Sequence, residues 1–224
     1  MVCQIMGQKI SGQELLDRSI AFHDPNKQWH QFDGQFKVVM KTPNSTDRIS
    51  SIILNNPEQN FTLTVEKDSD TYSYVLKKNE CQISLNDNTN ISEADRTKFK
   101  LNCERGNMMK NYYSYLYGLP MKLKDPGAIV DPTVYKKTFK NKEYLVLRVG
   151  YDLEVGEDIW YFYFDPMSYA MEVYQFFHDE TKNDGEYILL SGLEIIEGIK
   201  MPKTRAWYYN KDNTYLGTDI LTIN

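Results

Sequence analysis

Apolar positions along this chain follow two periods. Near its start, Leu15, Leu16, Ile20 and Phe22 fall at helical spacing behind Ser11-Gly12-Gln13-Glu14. In that Ser-x-x-Glu order the serine hydroxyl caps the helix while the glutamate reaches back to the serine amide. His23-Asp24-Pro25 closes the pattern, so a first helix is expected over residues 12–22. From Trp29 onward the period drops to two: QFKVVMKT, RISSIILN, FTLTVEK, TYSYVLKK and CQISL alternate apolar with polar residues and are separated by Asn, Asp and Pro breaks, as in an antiparallel meander. A helical interlude follows. Ser92-Glu93-Ala94-Asp95 resembles a second cap, and Met108, Tyr112, Tyr115, Leu116 and Leu119 lie at helical spacing until Gly118 and Pro120 stop the run. After Asp125-Pro126-Gly127 the meander resumes with VYKKTF, EYLVLRVGY, DIWYFYFD, YAMEVYQFF, EYILLSGLEII, KMPKTRAWYY and LGTDILTI. The fold class is therefore mainly β (α+β): one long antiparallel sheet with a leading helix and one helical insertion.

The densest stretch, WYFYFDPMSYAMEVYQFFHDE, poses the sharpest packing problem. Asp165-Pro166-Met167-Ser168 suits a type I turn, a register that sets Phe164 opposite Tyr169 and Trp160 opposite Val173. One face then carries Trp160, Phe162, Phe164, Tyr169, Met171, Val173 and Phe177, and the other is tyrosine-rich and able to stay wet. A large aromatic side chain buries about 150–250 Å². Three of them approach or exceed the roughly 300–600 Å² that a monomer exposes as its largest apolar patch, so the first face needs a cover. An antiparallel sheet of about ten strands tends to curl. With few helices to fill its concave side, such a sheet leaves a cavity lined by Trp160, Phe162, Phe164, Met171 and Val173, with Met108, Tyr112 and Leu116 as helical cover.

Composition narrows the partners. Across 224 residues, 31 acidic against 26 basic side chains give a net charge of −5, and no Lys/Arg cluster offsets it, so nucleic acid is set aside. The 17 tyrosines suit half-wet strands. No apolar run approaches the roughly 18 residues of a spanning helix. Met1 to Gly7 is weakly apolar and unpatterned and reads as the tail of a secretion signal with a possible cleavage point at Gly7-Gln8, the alternative being a disordered start. Lipidation at Cys3 has only two residues before it, too few for a lipoprotein signal. The layout expected is a signal remnant or disordered start over 1–10 and one domain over 11–224. Cys81 and Cys103 can close a loop worth about 3 kcal/mol in an oxidising compartment, or stand as two reduced buried thiols.

Candidate chemistry is sparse. His23, Asp24, His30, His178, Asp179 and Glu180 could form a transition-metal site if the end of the first helix met the end of the hairpin. Plain structural uses compete with it: a histidine at a helix C-terminus is favourable there anyway, and His178-Asp179-Glu180 can end a strand. Gly-x-Ser-x-Gly, His-Glu-x-x-His and a phosphate-cradling glycine loop are missing from the sequence. The acidic turns at Asp68–Asp70 and Asn86–Asn88 lack the twelve-residue calcium-loop pattern. No cofactor is expected.

The order of elements, with YFYFDPMSYAMEVYQF, the turn NDGEYI and EGIKMPKTRAWYY, resembles the outer-membrane lipoprotein-sorting (Lol) proteins, in which a strand ending in Asp-Pro and a later Gly-x-x-x-Pro segment recur. Here Asp165-Pro166 and Gly198 to Pro202 carry those features. SIAFHDPNKQW, CERGNMMKNYYSYLYGLPMKLKDPG, HDETKNDGEYILL, MPKTRAWYYNKD and LGTD are similar to segments of a largely uncharacterised family of secreted or lipid-anchored bacterial proteins. That resemblance implies a half-barrel closed by helices and a Cys81–Cys103 disulfide in an oxidising envelope. Lipoprotein carriers are often basic, whereas this chain is acidic. The leading expectation is a non-enzymatic envelope protein, periplasmic or secreted, with a lipid anchor or outer-membrane association as the variant, that binds a hydrophobic small molecule or a lipid or lipoprotein acyl chain. The alternatives are a metal-assisted hydrolase using His23, Asp24, His178 and Asp179, and a structural envelope protein without a small ligand.

Overall fold

A computed structural model describes residues 10–78 and 80–223. The expectations for Cys3 and for a cleavage point at Gly7-Gln8 lie outside the described residues. Helix α1 (Gly12–His23) begins as its sequence dictates, with the Ser11 hydroxyl accepting from the Glu14 amide at 3.2 Å. Five strands follow: β1 (Asp33–Lys41), β2 (Arg48–Asn55), β3 (Asn60–Lys67), β4 (Asp70–Lys77) and β5 (Glu80–Leu85). Helices α2 (Glu93–Phe99) and α3 (Cys103–Gly118) are capped by Ser92 and Asn102. Seven strands complete the chain: β6 (Ala128–Phe139), β7 (Lys142–Tyr151), β8 (Ile159–Phe164), β9 (Met171–Phe177), β10 (Glu186–Ile196), β11 (Ile199–Tyr209) and β12 (Tyr215–Thr222).

All twelve strands form one antiparallel sheet in the order β5-β4-β3-β2-β1-β12-β11-β10-β9-β8-β7-β6. Chain neighbours β5 and β6 therefore stand at opposite edges, and the two halves join through the first and last strands, with Val38 opposite Leu221. The link from β5 to β6 must cross the sheet, and α2 and α3 make that crossing. Neighbouring strands each add roughly 20–25° of twist, so twelve of them curl into an open half-barrel with its apolar face inward. Helix α1 packs on β6, β7 and β11, burying Leu15 and Leu16 completely, and α3 packs on β3, β4 and β5. A disulfide between Cys81 on β5 and Cys103 at the start of α3 fastens that helix to the edge strand.

The β8–β9 hairpin differs from its expected register. Its loop is two residues longer: Phe164 pairs with Met171, and the Tyr169 amide donates to Asp165 O at 2.9 Å. The register then slips, with Tyr163 opposite Val173 and Trp160 opposite Phe176, so Glu172 is an extra residue in a β-bulge. Lys142 holds the bulge from β7, reaching Glu172 at 2.7 Å and Asp165 at 2.9 Å. A one-residue slip exchanges the faces of everything beyond it. Tyr174 and Phe176 accordingly join Trp160, Phe162, Phe164 and Met171 inside. Val173 instead lies outside in a second buried cluster with Tyr144, Val146 and Tyr163. That outer face is not wet as expected, because lysine side chains lie over its rings, Lys137 at 4.1 Å from Tyr161 and Lys142 at 5.3 Å from Tyr144.

Candidate functional site

Helix α3 divides its aromatic residues between two tasks. Gly106, Met109, Tyr113, Leu116 and Tyr117 face the sheet and are buried. Gly106 fixes this rotation, since a Cβ there would stand 2.9 Å from the Tyr74 ring. The stripe expected from the sequence is turned by about one residue. Met108, Tyr112 and Tyr115 consequently sit on the flank, Met108 being 44% exposed, and Leu116 belongs to the packed core.

Beside that flank, between α3 and the β7–β8 end of the sheet, runs an open groove of about 690 Å³. Its aromatic wall is Tyr112 and Tyr115 facing Tyr151 and Trp160. Tyr115 and Tyr151 share a hydrogen bond between their hydroxyls, and the Trp160 ring lies 5.6 Å from Tyr115 and 4.8 Å from Phe176. Burial pushes the Tyr112 and Tyr115 phenols well above their usual value and Tyr151 up to about 12, so the wall carries no charge at neutral pH. The rim is polar. Lys122 pairs with Asp125, and His178 meets Asp158 at 2.6 Å, a contact that raises the imidazole above its ordinary pKa. A smaller recess of about 220 Å³ continues past Tyr112 to Trp207, Glu186 and Asp219.

Of the eight residues expected to line a cavity, the structure brings Trp160, Met108 and Tyr112 to the groove. Phe162, Phe164, Met171 and Leu116 are at most 3% exposed and packed by protein side chains, and Val173 is on the opposite face. The space left by the curled sheet thus lies at the Trp160 end of the hairpin and not over its middle. At the turn end α1 is the cover: His23 Nε2 accepts the Met171 amide at 3.0 Å, and Arg18 hydrogen-bonds Tyr169.

The histidine–carboxylate cluster is not assembled. His23 uses both ring nitrogens on backbone groups, its Nδ1 lying 2.6 Å from Lys200 O, and burial lowers its pKa to about 4. Asp24 accepts from the amides of Gln28 and Trp29 at 2.8 and 2.9 Å. Asp179 caps Thr181 and pairs with Lys182. His23 meets the first residue of β9 whereas His178 follows its last, about 20 Å away at roughly 3.3 Å per residue. His30 is exposed. Among the described residues no group of three or more His, Cys, Asp or Glu side chains is placed to hold a metal ion.

The sequence reading missed Arg205. It is 1% exposed beneath α3, donating to Pro202 O at 2.9 Å and to Leu116 O at 3.2 Å, with its guanidinium 3.9 Å from the Tyr117 ring centre. A cation on a carbonyl of the last turn complements the helix dipole and holds α3 down. Opposite it stands Asp219, whose pKa is raised by burial and partly restored by Arg205 and Arg48. The available signal was parity: Arg205 falls in phase with Ile199, Met201 and Trp207 on one strand.

A family model described as "Family of unknown function (DUF6503)" matches residues 1–224. No curated protein matches the sequence. The fold is similar to that of a LolA superfamily protein from Nitrosomonas europaea, with a TM-score of 0.58 and 9% identity over 96% of this chain and 92% of that one. It is also similar to a DUF1329 family protein from Desulfovibrio piger, with a TM-score of 0.55 and 8% identity over 96% and 92% of the two chains. At such identities the likeness is one of fold.

Proposed function

The chain belongs to the DUF6503 family, whose function is unknown, and we propose that it is a non-enzymatic binding protein of the bacterial envelope, periplasmic or secreted. Its ligand is a hydrophobic or amphiphilic molecule, a lipid or lipoprotein acyl chain, laid in the groove between α3 and the β7–β8 end of the sheet. The observation that carries this reading is the groove itself: a volume of about 690 Å³ walled by Tyr112, Tyr115, Tyr151 and Trp160. That size falls within the roughly 300–1,000 Å³ of small-molecule sites. The half-barrel fold shared with a LolA superfamily protein supports it. No helix among the described residues is long and apolar enough to cross a membrane. Trp160, Tyr112 and Met108 contact the ligand, and Phe162, Phe164, Met171 and Leu116 form the packed floor that keeps the wall rigid. Burial of the chain is reversible, at about 0.8 kcal/mol per methylene.

Native mass spectrometry and lipid extraction of the purified protein, with titration of a fluorescent fatty acid, test the proposal. We expect a stoichiometric co-purified lipid or saturable probe binding. Trp160→Ala or Tyr112→Ala should weaken probe binding about tenfold, because losing an aromatic contact worth roughly 1.5 kcal/mol is one decade in affinity. Absence of both lipid and probe binding, or binding indifferent to both substitutions, overturns it.

A further inference from the structure

At the other end of α3 the same helix closes a second, smaller recess. It is walled by Tyr72, Tyr74 and Phe99, and three cations converge on it: Arg48 from β2, Lys100 from the end of α2, and Arg105 from the first turns of α3. None of the three takes part in an ion pair among the described residues. The Arg48 Nε is buried with no hydrogen-bond partner. Arg105 Nη1 reaches only the Met108 sulfur at 3.4 Å, a weak acceptor. Glu93 and Glu104 stand with Lys100 and Arg105 on the outer side of the α2–α3 junction. Neither makes an ion pair with them there, and Arg48 also acts at longer range on Asp219, two strands away. All three cations thus border one aromatic-walled hollow with no carboxylate at ion-pair distance among the described residues.

We propose that this recess is an anion site for a phosphate group. Guanidinium donors match phosphate oxygens in bidentate fashion and a lysine adds a mobile point charge. The hollow is about 50 Å³. A single water needs about 10–15 Å³, so the space suits a tetrahedral oxyanion and is too small for a whole lipid. Two sources share this chemistry, free phosphate and the head group of a phosphate-bearing amphiphile. The second is geometrically open: Arg105, Met108, Tyr112 and Tyr115 lie on one flank of α3, and ten residues at roughly 1.5 Å each put the groove's Tyr115 about 15 Å from the anion site.

The experiment titrates the intact protein at low salt with inorganic phosphate, dodecyl phosphate and dodecanol, by calorimetry. We expect dodecyl phosphate to bind at least tenfold more tightly than dodecanol, or inorganic phosphate to bind on its own. In either case Arg48→Gln with Arg105→Gln should cut phosphate-dependent binding at least tenfold and raised salt should weaken it. Lys100→Gln, at an exposed position that leaves folding intact, should cut it about threefold. Equal affinity for inorganic and dodecyl phosphate assigns the site to free anion, and a preference for dodecyl phosphate assigns it to a head group. The anion site is refuted if neither phosphate ligand outperforms dodecanol, or if binding is unchanged in both the double variant and Lys100→Gln. The groove reading fails separately, by dodecanol and dodecyl phosphate ignoring Trp160→Ala.

Discussion

Two faces of α3 use nearly the same residue types and end in opposite conditions. Met109, Tyr113 and Tyr117 are buried against the sheet, with the Phe36 ring 4.8 Å from Tyr117 and the Phe61 ring 6.4 Å from Tyr113. Met108, Tyr112 and Tyr115, each one or two positions earlier, border an open groove. The difference teaches that aromatic density does not by itself mark a binding surface; what matters is how much sheet lies opposite. Beneath the buried face are strands β3 to β5, pulled close by the Cys81–Cys103 bridge. On the flank, Tyr115 meets Tyr151 and Trp160 at the wall of the groove, and Met108 is left 44% exposed.

The largest expected effect separates packed floor from groove wall. Phe162→Ala, which empties a fully buried site, should cost about 3–5 kcal/mol in denaturant unfolding. Trp160→Ala, at the wall, should cost clearly less and should instead weaken fatty-acid binding. Equal losses would erase the distinction between the two regions. Next comes the fastening of α3. Replacing Cys81 and Cys103 by alanine opens a loop of sequence separation 22, and stability should fall by about 3 kcal/mol, read as a lower urea midpoint. An unchanged midpoint would mean that α3 needs no staple.

The third effect is one of pH. His23 is fully buried, and its folded pKa of about 4 lies below the 6.5 of an unfolded histidine. Between those values the unfolded chain binds the proton and the folded chain does not. Stability should therefore be undiminished by this group above about pH 6.5 and fall as pH drops toward 4, at up to about 1.4 kcal/mol per unit. The depressed carboxylate of Asp165 loses its contribution only at lower pH, from its unfolded value of 3.8 downward, so the windows separate. Urea unfolding of His23→Gln across pH 4 to 6.5 checks this, and the wild-type slope should flatten in the variant. The smallest effect is expected at the groove rim. His178, with its side chain 63% exposed, meets Asp158 in solvent, and His178→Ala should change stability by less than about 1 kcal/mol. A larger loss would show the rim to be part of the folded framework.

Local patterns decided a great deal. The Ser11 cap, the alternation of β1 to β5 and the Asn, Asp and Pro breaks between strands are consequences of neighbouring residues, and they could be read directly. So could the need for a cover over the Trp160–Phe164 strand, since its apolar area exceeds what a surface tolerates. The bulge at Glu172 was not legible, because Lys142, which holds it, lies thirty residues earlier, and that bulge moved Val173 to the outer face and Tyr174 and Phe176 to the inner one. The rotation of α3 was equally hidden: a run of Met and Tyr gives several apolar stripes of similar strength, and the contact of Gly106 with Tyr74 chose among them.

The sequence by itself determined which segments are strands and helices, that the sheet is antiparallel, and that one strongly aromatic hairpin must be covered. Those are properties of short stretches, set by side-chain periodicity and capping. Only the tertiary structure decided that β1 pairs with β12, which puts β5 and β6 at opposite edges and sends α3 across the concave face. That crossing sets one helix flank against Trp160 to make the groove and brings Arg48, Lys100 and Arg105 from three elements into one recess. Both sites depend on residues far apart in the chain, whose distances are fixed by sheet order and curvature and leave no trace in local spacing.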